Sequence, residues 1–68
     1  MLKAQIIVYL YEHPYTRLRY IASDLRTTRE KVITALYELK QAGYIDYREH
    51  RDMKNMELYD EWYLVKNA

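Results

Sequence analysis

The chain has 68 residues, room for one small domain and no second core. A chain this short buries only about 60% of its unfolded surface, and with no cysteine it has no disulfide, thiolate metal site or thiol chemistry to support it. Eleven basic residues against ten acidic ones leave a net charge of +1, which by itself points neither toward nor away from nucleic acid.

Half of the residues are apolar, with one Gly and one Pro, a composition that excludes disorder. The longest apolar run, Ile6–Tyr11, is far below the ~20 residues of a membrane span. Met1 to Gln5 lead into no signal-type segment with a small-residue cleavage site. The expected class is a soluble, intracellular (cytoplasmic) ordered domain. Nine tyrosines against no phenylalanine is the compositional oddity.

In chain order, the first predicted element is a helix over residues 2–12, ended by Pro14, which blocks helix continuation. At about 100° per residue it carries two apolar faces. Leu2, Ile6, Tyr9 and Leu10 form one, and Ala4, Ile7, Val8 and Tyr11 the other. A helix apolar on most sides is buried on most sides. One face meets the domain's own core, so the second predicts a homodimer contact through Ala4, Ile7, Val8 and Tyr11. The alternative is that Tyr9 and Tyr11 lie against the surface with their hydroxyls in water.

Thr16 is the expected N-cap of a second helix over residues 17–25, with Tyr15 and Tyr20 as a hydrophobic staple. Its apolar positions Leu18, Ile21, Ala22 and Leu25 follow i, i+3, i+4, i+7. Thr27-Thr28-Arg29-Glu30 reads as a capping box, Thr27 at the cap and Glu30 at N3, opening a third helix over residues 28–42. Val32, Ala35, Leu36 and Leu39 repeat the same template, and Gly43 suits the C′ position, where φ is positive. Beyond Gly43 the apolar period falls to two, through Tyr44-Ile45-Asp46-Tyr47-Arg48 and Leu58 to Leu64. A hairpin over residues 44–65 is expected, with Glu49 to Asn55 as its polar tip. The tyrosines then take half-buried places on these elements, where a ring buries area while its hydroxyl stays wet.

Ile21-Ala22-Ser23-Asp24-Leu25 resembles the I-A-x-x-L of the second helix of winged helix-turn-helix proteins. Val32 to Ile45 resembles their V-x-x-x-L-x-x-L-x-x-x-G-x-I pattern, which runs through the MarR, ArsR and PadR-like regulators. The resemblance covers Ile6 to Leu64. It implies a mainly α fold with a small β-hairpin: three helices plus a two-stranded wing, in a single domain over residues 1–68. It also implies sequence-specific binding of double-stranded DNA by a homodimeric transcriptional regulator, the third helix lying in the major groove.

Thr28, Arg29, Lys31 and Thr34 are the outward positions of that helix for bases and phosphates. Arg17, Arg19 and Arg26 around the second helix are candidates for the DNA backbone, and Arg51 and Lys54 for wing contacts. Charge is distributed to match: five basic residues against two acidic ones from Arg17 to Lys31, and four against six from Ala42 to Ala68. The same charges are equally what a solvated helix face carries.

Two departures stand out. Ile33 replaces the small polar residue more usual in such regulators; it suits either a thymine methyl or a place at the foot of the wing. The extra helices of most MarR-like regulators are absent, so the first helix must supply the dimer contact and no effector pocket is evident. A winged-helix module that binds another protein is the alternative, favoured by the low net charge and the acidic hairpin half.

Enzyme chemistry has little to rest on. His13 and His50 lie in separate loops without spaced partner ligands, Ser23 lacks the glycines of a nucleophile elbow, and one Gly cannot build a phosphate loop. No catalytic residue, metal or cofactor is expected. Few amides, no cysteine, one Gly and many charges fit a hot-living host, and the regulator reading implies a prokaryote, an archaeon or one of their viruses.

Overall fold

The apolar stripes read from the sequence converge. Ile6, Tyr9 and Leu10 of the first helix, Ile21 and Ala22 of the second, and Val32, Ala35, Leu36 and Leu39 of the third form one buried cluster with Ile45 and Trp62. A computed structural model describes residues 1–65 of the chain; residues 66–68 of the expected domain lie outside the described residues. The elements are α1 (Leu2–Glu12), β1 (Thr16–Arg17), α2 (Leu18–Asp24), α3 (Arg29–Gln41), β2 (Ile45–Asp52) and β3 (Glu57–Leu64). The three strands form one antiparallel sheet in the order β1-β3-β2. Three helices and a β2–β3 wing is the expected architecture; the third strand is an addition to it.

That strand corrects the start of the second helix. Thr16 does not cap α2: it pairs with Trp62 of β3, and Arg17 with Glu61. The edge of β3 offers backbone partners that a helix start would leave unsatisfied, so tertiary pairing outweighs the local capping preference. Arg17 becomes the N-cap residue, with no side-chain cap. The Tyr15–Tyr20 staple fails for the same reason. Tyr15 takes φ +62° after Pro14, and its ring turns to Tyr63, 5.2 Å between centroids.

The turn between α2 and α3 is closed by backbone bonds from Arg26 N–H to the Ser23 carbonyl (3.2 Å) and from Thr27 N–H to the Ala22 carbonyl (3.0 Å). This is the paired 5→2 and 6→1 arrangement of a Schellman motif, with Arg26 at φ +54° where glycine is usual. The cap of α3 falls one position later than the expected box. Thr28 Oγ1 accepts from the Lys31 N–H at 3.2 Å, so Thr28, not Thr27, is the N-cap and Glu30 sits in the first turn without closing a reciprocal bond. Gly43 holds as the C′ residue, at φ +88°. Its N–H donates to the Lys40 carbonyl and that of Tyr44 to the Leu39 carbonyl, both at 3.0 Å.

The wing is longer and its tip tighter than Glu49–Asn55. Pairing continues to Asp52↔Glu57, which places Glu49, His50 and Arg51 in β2. In the remaining turn Asp52 Oδ1 accepts from the N–H groups of Lys54 (3.0 Å) and Asn55 (3.4 Å), and Asn55 Nδ2 donates to Asp52 Oδ2 at 3.0 Å. Asp52, which weakens the charge argument for the wing, therefore organises the loop that presents Lys54.

Candidate nucleic-acid interface

The stripe of Val32, Ala35, Leu36 and Leu39 is turned fully into the core, so the opposite side of α3 faces solvent. Two flanks result. On one, Arg29, Ile33 and Tyr37 follow one another on successive turns. They line a cleft of about 380 Å³ with Arg17 and Arg19 at the start of α2 and Tyr59 and Trp62 of β3. Glu57 and Asp60 lie on the β3 wall of the same cleft. On the other flank, Lys31 and Thr34 border a shallow depression against the Met1–Lys3 end of α1, with Glu30 and Glu38. Arg29 is thus brought together with Arg17 and Arg19, while Lys31 and Thr34 are separated from them by the ridge of α3.

The remaining candidates sit apart. Arg26 is exposed in the turn leading into α3, and Arg51 and Lys54 are exposed at the far end of the wing. Both α3 hydroxyls are partly committed. Thr28 Oγ1 is the N-cap acceptor, and Thr34 Oγ1 donates to the Glu30 carbonyl at 3.1 Å, leaving only its lone pairs for another partner.

Ion pairing divides the basic residues cleanly. Lys3 pairs with Glu38 (2.9 Å), Lys40 with Asp46 (3.9 Å) and Arg48 with Glu61 (3.2 Å). Among the described residues, Arg17, Arg19, Arg26, Arg29, Lys31, Arg51 and Lys54 have no carboxylate within 4.0 Å. Every basic candidate is therefore free of internal neutralisation, and every other described basic side chain is neutralised. Binding a phosphate through a free cation breaks no ion pair and releases a counterion, which is the main source of affinity for DNA.

One candidate is held in place from behind. The Arg17 guanidinium lies 4.0 Å from the centre of the Tyr59 ring, a cation–π contact that orders the side chain without cancelling its charge. His50 stacks on the other partner of that contact, 5.2 Å from Tyr59, and sits 3.9 Å from Glu61 Oε1. Arg48 bonds the same Glu61 oxygen and covers Tyr15 at 4.2 Å. The outer face of the sheet is thus a brace of alternating rings and charges that joins β1 to the wing.

Sequence reasoning passed over Tyr37 and Gln41, which lie opposite the buried stripe and are exposed. The same wheel that gave Thr34 contains both; the bias toward cations and the small hydroxyls of threonine hid them. Ile33 takes the place at the foot of the wing while remaining 39% exposed.

On α1, Val8 and Tyr11 are 57% and 78% exposed, and Ala4 is open as well. Ile7 departs from that face, since it is half-buried against the domain's own core. Tyr9 is the one tyrosine in the core. Its hydroxyl donates to Asp24 Oδ2 at 2.6 Å, tying α1 to the end of α2. Burial, then the bond to Asp24, pushes the phenol above the ordinary tyrosine value.

No protein-family model matches the chain, and no curated protein matches it. Among solved structures it is similar to a cysteine-to-serine mutant of ZitR from Lactococcus lactis, with a TM-score of 0.77 and 22% sequence identity. The match covers 96% of this chain and 42% of that one. The fold is therefore the winged helix-turn-helix, and the chain spans less than half the length of its structural neighbour. No helix among the described residues is long and apolar enough to cross a membrane.

Proposed function

We propose that the chain binds double-stranded DNA as the reading domain of a transcriptional regulator, with α3 in the major groove and two copies joined through α1. The observation that supports it is the partition of charge. Among the described residues, the seven basic residues around α2, α3 and the wing tip stand free, while the basic residues elsewhere are paired. Arg29, at the first turn of α3, is the residue for a bidentate bond to guanine, and Arg17, Arg19, Arg26, Lys31, Arg51 and Lys54 are phosphate ligands. Thr28 donates its free hydroxyl hydrogen to a phosphate, and Thr34 accepts from a base amino group. A protein that works on duplex DNA belongs in the cytoplasm of its prokaryotic, archaeal or virus-infected host. No cofactor enters this reading.

The test is a fluorescence-anisotropy titration of the purified chain against duplex DNA at several salt concentrations. If each of the six phosphate ligands neutralises one phosphate, the log–log salt slope approaches about −5 per chain. Arg29→Ala weakens specific binding by about 1–3 kcal/mol. Binding without salt dependence, or an unaffected Arg29→Ala, defeats the proposal. Glu57 and Asp60 on the cleft wall favour the second reading, a module that docks a basic protein partner there; charge reversal at those two residues abolishes that docking and strengthens DNA binding.

A further inference from the structure

The geometry points to Ile33, backed by Tyr37, as a reader of the C5-methyl group of thymine in the major groove. This inference rests on the DNA-binding reading and adds a sequence preference to it. Ile33 lies one turn beyond Arg29 and one turn before Tyr37 on the same flank of α3. It is 39% exposed and Tyr37 54% exposed, so an apolar step follows directly on the free cation. The Tyr37 ring is steadied edge-on by buried Trp62, 6.2 Å between centroids, and Trp62 itself belongs to the core. The strip is therefore rigid from beneath.

The chemistry of the groove selects its partner. Every base edge there presents hydrogen-bonding groups, and the one apolar feature is the thymine methyl. An isoleucine set against the N7 and O6 of guanine strips water from acceptors and returns no bond, a desolvation cost with no compensation. Set against a thymine methyl, it buries apolar surface on both sides. With Arg29 suited to guanine on the preceding turn, the flank reads guanine followed by thymine-rich positions.

The experiment starts from a random-sequence pool of DNA duplexes, selected for binding to the purified chain at fixed salt. The enriched duplex is then resynthesised with each thymine in turn replaced by uracil. That exchange keeps every hydrogen-bonding group and deletes only the methyl. Expected is a three- to fourfold loss of affinity per contacted methyl, about the worth of one buried CH₂ group, and an Ile33→Ala chain that binds both duplexes equally. Circular dichroism and melting of Ile33→Ala confirm that it folds; the uracil series on the unaltered chain stands without it. Uracil duplexes bound as tightly as thymine ones, or discrimination that survives in Ile33→Ala, overturn this inference and leave the DNA-binding reading intact. Failure to bind any duplex overturns both.

Discussion

Arg26 allows stability and binding to be pulled in opposite directions by one substitution. It occupies the left-handed C′ position of α2 at φ +54°, where a side chain with a Cβ costs roughly 1–2 kcal/mol. Glycine removes that strain but gives back about 0.5–1 kcal/mol through the freedom it adds to the unfolded chain. The side chain is exposed and without an ion pair among the described residues, so little packing is lost. Both backbone bonds of the motif, at 3.2 and 3.0 Å, survive the change. Arg26→Gly should therefore stabilise the fold by roughly 0.5–1 kcal/mol, raising the melting temperature by about 2–8 °C for a domain this small. If Arg26 also holds a phosphate, the salt slope of DNA binding falls by about 0.9. Thermal melts followed by circular dichroism and anisotropy titrations at several salt concentrations read the two effects separately. A lower melting temperature refutes the strain argument. An unchanged salt slope removes Arg26 from the interface.

Tyr9→Phe deletes the 2.6 Å bond to Asp24 and should cost about 1–2 kcal/mol, since the acceptor is charged but solvent-exposed; chemical denaturation of the two chains measures it. The raised Tyr9 pKa adds a pH dependence. The folded state favours the neutral phenol, so its contribution is complete below the ordinary tyrosine value near 10 and is lost as pH rises through the higher folded value. Denaturation midpoints should fall above about pH 10 in the parent and less so in Tyr9→Phe; equal falls disprove the assignment. Val8→Glu places a charge on the open face of α1 and should convert a sedimenting dimer to monomer with the melting curve of the isolated fold preserved, because Val8 makes no part of the core. A chain that sediments as a monomer before the change rules out this interface.

The sequence carried the helices because their determinants are local. The i, i+3, i+4, i+7 stripes of α2 and α3 reappear as buried faces. Gly43 closes α3: its N–H bonds the Lys40 carbonyl, and its positive φ lets the Tyr44 N–H reach the Leu39 carbonyl. The free cations were legible as a charge run, but their freedom was not. Whether Arg48 meets Glu61, thirteen residues away, or Lys3 meets Glu38 across two helices, depends on which elements pack together. Long-range pairing also overrode two local signals. Thr16 reads as a helix cap until β3 supplies a strand partner, and Tyr15 reads as a staple until Tyr63 supplies a ring. Tyr9 was one tyrosine among nine until Asp24 gave its hydroxyl a place to be buried. The helical stripes and the Gly43 turn involve groups within a few residues of one another, so the chain alone determines them. Strand edges, ion pairs and the two flanks of α3 join groups distant in sequence, and only the tertiary fold decides them.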